Sequence, residues 1–433
     1  MPEDVTPDRL AVHPTQHAAF DRPALGKAAY EDGAFDEFDD SEFEASAEAA
    51  ALPGLSHLRA DAAAHEGSGR KSAAPLTIYD VARRAGVSIA SVSRVLNGHA
   101  TPRPETRDRV LRAVAELGFV PDGAARALSS RLKEIIAVVY RRAPLGPTDD
   151  PVFEDEAENL AFVDVINRGI GTAAQHRGFD LLLSSVEVDD HAPGARIANL
   201  AGKSDGMLLH DRVLTPSGIV RLADRVPVVT LAGTPTRASV NISGDNARGM
   251  RDLISHLIEV HDCRSIAYLS GHADSPDSVL RARVVRETAA PHGVQVYTGP
   301  QWAGEYSAAG GARVVRTLLD AGAPLPDAIA CANDQTALGV LYALTERGYQ
   351  VPGDVAVTGF DDIPVARHLV PPLTTVRQPI QDLGAMAFDV LYSMIGGERP
   401  AERQLVLPVQ VVVRGSCGCP TEQPPTSSLT GIA

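Results

Sequence analysis

Apolar residues recur along this chain with two different periods. From Thr77 to Leu117 the spacing is helical. Thr77 and Asp80 fit a capping box, and Val81, Ala82 and Ala85 share one face of the helix it starts. Gly86 stands where that helix should stop. Ser88 reads as the N-cap of a second helix through Ser93, Val95 and Leu96, halted near Asn97 and Gly98. A third helix is predicted from Pro104 and Glu105 through Val110, Leu111, Val114 and Leu117 to Gly118. Three short helices with a tight glycine turn between the first two form a helix-turn-helix. A short Ala-rich segment, 122–130, follows Pro121, with Asp122 as its cap.

From Ile135 to Val413 the texture changes. Apolar runs of strand length alternate with helical stretches. The predicted strands include 135–139, 180–184, 206–210, 226–231, 265–270, 328–332 and 354–360. Helical stretches close on glycine, as at Arg177-Gly178 and Arg347-Gly348. Such alternation predicts parallel sheets covered by helices, and its length calls for two doubly wound halves. In open sheets of this kind ligands sit beyond the carboxyl ends of the strands. Asn333 and Asp361 fall there, and an amide and a carboxylate both suit vicinal hydroxyls. Asp334 and Asp362 are expected to cap the segments that follow.

Residues 1–74 carry no lasting period. They are rich in Ala, Asp, Glu and Ser, with Phe35, Phe38 and Phe43 set in an acidic stretch. This segment reads as a disordered acidic extension, and 425–433 as a tail without leucine heptads.

Charge sharpens the division. The chain of 433 residues has a net charge of −15, yet residues 75–133 hold 10 Lys and Arg against 5 Asp and Glu. One basic block inside an acidic protein is what nucleic-acid binding needs. No apolar run reaches bilayer length, and the N-terminus lacks a signal-peptide pattern. Four cysteines do not make a disulfide scaffold, so a cytoplasmic, reduced protein is expected. Cys417 and Cys419 form a CxC pair with no partner pair in sequence, and Cys263 and Cys331 fall at predicted core positions. The histidines show no ligand spacing. No metal site and no cofactor are expected. With no G-x-S-x-G elbow and no P-loop, no enzyme chemistry is expected either.

The stretches TIYDVARRAGVSIASVSRVLNG (77–98) and PETRDRVLRAVAELGFVPDGAARALSS (104–130) resemble the head and hinge of the lactose-repressor (LacI/GalR) family. CANDQTALGVLYALTERGYQVPGDVAVTGFDDIPVARHLVPPLTTVRQP (331–379) resembles that family's core, as do 168–183 and 244–271. The resemblance implies an all-α helix-turn-helix head plus hinge helix, then an α/β two-lobed periplasmic-binding-protein-like core. The head would span 75–121 and the hinge 122–133. One lobe would take 134–242 plus 378–407, the other 243–377 plus 408–424.

The resemblance also implies roles. Tyr79, Ser88, Ile89, Ala90, Ser91, Ser93, Arg94 and Asn97 would face DNA. Ile89 and Ala90 are apolar and suit thymine methyls, Arg94 suits a guanine edge or a phosphate, and Tyr79 and the serines suit phosphates. Ala125 and Leu128 match the hinge helix that folds on DNA, with Leu128 as the minor-groove wedge. Two half-sites call for a homodimer. In the core, Arg281 matches the family's R-x-x-G-F arginine, although Val284 and Val285 replace the Gly and Phe. Tyr306 matches the aromatic platform, with Trp302 a nearby rival. Phe162 would line the pocket from the other lobe, and Ala232 stands where some members carry an acidic residue. The function implied is a transcriptional repressor released from a pseudo-palindromic operator by a small, carbohydrate-like effector. A purine-type corepressor and an effector-independent DNA-binding protein are the alternatives.

Overall fold

The computed structural model describes residues 76–96, 102–119, 132–142, 152–153, 160–187 and 193–420. Asn97, Ala125, Leu128, the acidic extension and the tail lie outside the described residues.

Three helices make the head: α1 (Ile78–Ala85), α2 (Ile89–Leu96) and α3 (Pro104–Leu117). The capping box is present, because Asp80 Oδ2 accepts from the Thr77 amide at 3.0 Å and from its hydroxyl at 2.7 Å. Gly86 and Gly118 end α1 and α3 in the left-handed region, at φ 64° and 63°. Val81, Ala82, Ala85, Val92, Val95, Val110 and Ala113 form the head's own core. Leu111 differs from expectation. It is 50% exposed, because 110, 113, 114 and 117 keep the helical spacing and position 111 falls off that face.

The first lobe is a six-stranded parallel sheet. Its strands are β1 (Ile135–Arg142), β2 (Asp180–Glu187), β3 (Gly206–His210), β4 (Val228–Leu231), β5 (Val240–Gly244) and β11 (Gln404–Leu407), in the order β11-β5-β4-β3-β1-β2. The strands alternate cleanly. Ile136 and Val138 face a core shared with α4 (Leu160–His176) and α11 (Ile380–Ile395). Ala137 and Val139 face the opposite core, with α5 (Pro193–Lys203) and α6 (Pro216–Ala223).

The second lobe has a four-stranded parallel sheet, β7-β6-β8-β9, from β6 (Ser265–Leu269), β7 (Gln295–Tyr297), β8 (Ala328–Cys331) and β9 (Ala356–Thr358). Ile266 and Tyr268 face α7 (Asn246–His261) and α8 (Pro276–Ala289). Ala267 and Leu269 face α9 (Ala308–Asp320) and α10 (Asp334–Glu346). A short antiparallel pair, β10 (Thr375–Arg377) with β12 (Gln410–Val412), completes it.

The chain crosses between lobes three times: after β5, between β10 and α11, and between β11 and β12. The first crossing falls just past the sequence-based boundary at 242, because Ser243 and Gly244 still pair with Val406 and Leu407. Phe153, in the segment after β1, packs edge-on against Tyr342 of the second lobe at 5.3 Å. Among the described residues no helix is long and apolar enough to cross a membrane.

Candidate functional site

Two regions carry recognition chemistry. In the head, Ser88 caps α2: its Oγ accepts from the Ser91 amide at 3.2 Å and meets the Ser91 hydroxyl at 2.9 Å. Val92 and Val95 turn into the head core, which leaves Ser88, Ile89, Ala90 and Arg94 exposed and Ser91 and Ser93 half-buried. Tyr79 of α1, 63% exposed, shares an open face with Arg83, Ser88 and Ile89. A helix N-terminus with small side chains and a free arginine is the form that enters a major groove.

The second region is the cleft between lobes. Its lining includes Phe162, Ala232, Arg281, Tyr306 and Asp361, so four of the five expected core residues converge there. Asn333 is the exception. Its Oδ1 accepts from the Thr336 amide at 2.9 Å as the cap of α10, and its Nδ2 donates to the Tyr306 carbonyl at 3.1 Å. It ties the start of α10 to the Tyr306 backbone. Trp302 lies in a separate apolar cluster, whereas Tyr306 lines the cleft. Val284 and Val285 are buried core residues of the second lobe. Asp334 and Asp362 do not cap the next segments in the expected way. Asp334 takes the Ile363 amide and the Thr375 hydroxyl, and Asp362 pairs with Arg377 and Arg414, each at 2.6 Å.

Arg281 organises the cleft. Its Nε donates to Asn246 Oδ1 at 2.8 Å, and its Nη1 donates to the Ala332 carbonyl. Asp277, one turn earlier on α8, lies 3.9 Å from Nη2, and the Phe360 ring stacks 3.7 Å below the guanidinium. Asp361 is held by Gln378, whose Nε2 donates to Oδ1 at 2.7 Å. Burial pushes the Asp277 carboxyl up to about 6 and that of Asp361 up to about 7, with Arg281 pulling both the other way. Burial lowers His210 to about 4, and its Nε2 has no hydrogen-bond partner.

Backbone strain collects at the same place. Arg212, Ala232, Tyr306 and Asp361 all line the cleft at positive φ, at 62°, 56°, 59° and 119°. Side chains are held in such conformations only where surrounding contacts over-determine them, commonly at ligand sites.

The lobes also touch across the mouth. Asp211, just past β3, accepts from Ser275 at 2.8 Å, and Ser275 meets the Tyr306 hydroxyl at 3.3 Å. Asp274 pairs with Arg212 at 2.8 Å and Arg141 at 3.4 Å. The free volume between them is about 70 Å³. Small-molecule pockets span roughly 300–1,000 Å³, so the cleft in this arrangement is smaller than such a pocket. The sequence reading missed Tyr140, His210, Asp211, Arg212, Asp277 and Gln378. His210, Asp211 and Arg212 end or follow the predicted strand 206–210, where the strand-end rule points, whereas Gln378 follows a strand too short to predict.

Comparison with known proteins fits both regions. Residues 77–122 match the family described as bacterial regulatory proteins, lacI family, and residues 254–417 match the periplasmic binding protein-like domain. The HTH-type transcriptional regulator CelR of Thermobifida fusca is 33% identical over 351 residues, covering 78% of this chain and 98% of that protein. The ribose operon repressor of Escherichia coli is 30% identical over 344 residues, covering 78% and 99%. Among solved structures, the lac repressor dimer bound to operator and the anti-inducer ONPF aligns with a TM-score of 0.67 at 27% identity. It covers 79% of this chain and 99% of that one. A CelR–cellobiose complex aligns with a TM-score of 0.55 at 31% identity, covering 79% and 99%.

Proposed function

This chain belongs to the lacI family of bacterial regulatory proteins, and on that premise we propose how its two recognition regions work together. It is a sequence-specific DNA-binding transcriptional regulator, a repressor that responds to a small sugar-like effector. In this reading α2 lies in the major groove with Ile89 and Ala90 toward the bases. Arg94 takes a base edge or a phosphate, and Tyr79, Ser88, Ser91 and Ser93 fix the register. Two chains read a pseudo-palindrome as a homodimer; the lac repressor is likewise a dimer bound to its operator. The protein works in the cytoplasm, on the nucleoid. Its relatives regulate transcription, and the role proposed is binding rather than catalysis.

The observation that carries the effector reading is the chemistry of the cleft. Arg281, Asp277, Asp361 and Tyr306 line one cleft with His210, whose Nε2 has no hydrogen-bond partner. Fixed donors and acceptors beside an aromatic face suit a ring with vicinal hydroxyls. The effector shifts the lobes only by the difference in its affinity for the two arrangements.

The test is calorimetry and thermal shift on the full chain against mono- and disaccharides, cellobiose and ribose first. One saturable sugar that releases operator supports the reading. A purine base that binds instead and tightens operator contact replaces it with the corepressor reading.

Two further outcomes are expected. Effector affinity should be full above pH 7 and fall by up to tenfold per unit below it. Burial raises the Asp361 carboxyl to about 7, and its ionised form accepts from sugar hydroxyls more strongly than its neutral form. Both His210 and His272 are held near 4 and stay neutral through that window. Calorimetry between pH 5.5 and 8 reads this, and Asp361→Asn should flatten the profile. In the hinge, Leu128→Ala should lose most specific operator affinity while leaving binding to random DNA and its salt slope nearly unchanged. Equal loss on random DNA would sink the wedge assignment.

A further inference from the structure

The C-terminal CxC pair does not stand alone. The chain after β12 folds back against the end of α7, where His256 and His261 lie half-buried. All four ligand atoms fall within 4.8 Å of one another. The two histidine Nε2 atoms are 3.3 Å apart. Cys417 Sγ is 3.5 Å from His256 Nε2, and Cys419 Sγ is 3.7 Å from His256 Nε2 and 3.4 Å from His261 Nε2. We propose that His256, His261, Cys417 and Cys419 are the four ligands of a tetrahedral metal site, and that its ion is zinc.

Zinc bonds of 2.0–2.1 Å to nitrogen and 2.3 Å to sulfur place tetrahedral ligand atoms about 3.3 Å apart for two nitrogens and about 3.6 Å apart for nitrogen and sulfur. The nitrogen–nitrogen distance and the three nitrogen–sulfur distances all fall within about 0.2 Å of those edges. Hydrogen bonding alone does not require four donor atoms to close on one point. The donor set selects the ion. Two thiolates and two imidazoles reject magnesium and calcium, and four protein ligands with no open position mark a structural site. Gly418, between the two cysteines, sits at φ 104°, a conformation that side chains rarely adopt, and packs beside the His261 ring. All four cysteines of the chain are free thiols.

Such an ion would tie the last turn of the core to the end of α7. That helix begins at the first crossing, where Asn246 holds Arg281, and ends at His261. The site is separate from the cleft, whose lining includes none of the four ligands. The sequence reading treated the CxC pair as unpartnered. The missing pair sits more than 150 residues away, and only the packing of α7 brings it close.

The test uses the full chain, purified with a non-thiol reductant, stripped of metal, then titrated with zinc and with cobalt(II). The result expected is one ion per chain by elemental analysis and a zinc-dependent rise in melting temperature. The cobalt form should show a thiolate charge-transfer band and the intense visible bands of tetrahedral coordination. Cys419→Ser and His261→Ala, both at partly exposed positions, should lose those bands while keeping their circular dichroism and sugar response. Cys263→Ser should keep the bands. The proposal is overturned if the reduced protein takes up no ion. Weak octahedral cobalt bands would overturn it too, as would bands that survive in both ligand variants.

Discussion

An Arg281→Ala protein should lose its effector response and unfold its core more easily. Arg281 is 3% exposed, and its guanidinium serves Asn246, the Ala332 carbonyl and Asp277 at once, with Phe360 stacked beneath it. Removing one partner of a buried charged network costs roughly 3–5 kcal/mol, because the remaining charge is left without compensation. Here the groups left behind are the buried carboxylates of Asp277 and Asp361, whose ionised forms Arg281 favours. Arg281→Lys should recover part of the stability and little of the effector response, since an ammonium cannot reproduce the planar fork. The head has its own apolar core, so operator binding should persist at temperatures where the variant core stays folded. Chemical denaturation and operator release by sugar, measured on the same samples, separate the two effects. A variant that still responds to effector would remove Arg281 from the site.

Gly271→Ala should also silence the effector response, with a smaller structural cost. A Cβ at this position would overlap Cζ, Cε1 and Cε2 of the Tyr306 ring. Tyr306 cannot retreat easily, because its backbone sits at φ 59° and Asn333 holds its carbonyl. The ring must leave its seat, which breaks the contact from its hydroxyl to Ser275 and so to Asp211. Overpacking of this kind costs roughly 1–3 kcal/mol. If that cost falls on the ligand-bound arrangement, affinity for the sugar drops roughly ten- to hundred-fold. Operator affinity without sugar should be unchanged, which makes the variant a repressor that no longer releases. Anisotropy titrations with and without saturating sugar check both halves. Normal release would mean that Tyr306 is not the platform.

Local chemistry made much of this molecule legible from its sequence. The capping box at Thr77 and Asp80, the glycine stops at 86 and 118 and the serine cap at 88 act within four residues of themselves. The buried strands announce themselves as apolar runs, because both faces of a parallel sheet are covered. β5, β7, β10, β11 and β12 are not among the predicted strands: Asn241 and Ser243 interrupt the apolar run of β5, and the others are three or four residues long without a longer apolar run around them. Leu111 shows the limit of reading apolar residues without their angle on the helix. The cleft divides along the same line. Asp361 and Arg281 lie in motif-bearing stretches, whereas His210, Asp211 and Gln378 become cleft residues only when two lobes face each other. Asn333 carries the right chemistry just past a strand end, yet the orphan amide of α10 claims its side chain.

The most direct test of the central account selects genomic fragments with the purified full chain at near-physiological salt. The enriched sequence is then titrated with protein in the presence and absence of a saccharide panel. The account predicts a pseudo-palindromic site bound by two chains and released by one sugar. Enrichment of no sequence, or of a site whose occupancy no sugar lowers, would contradict it.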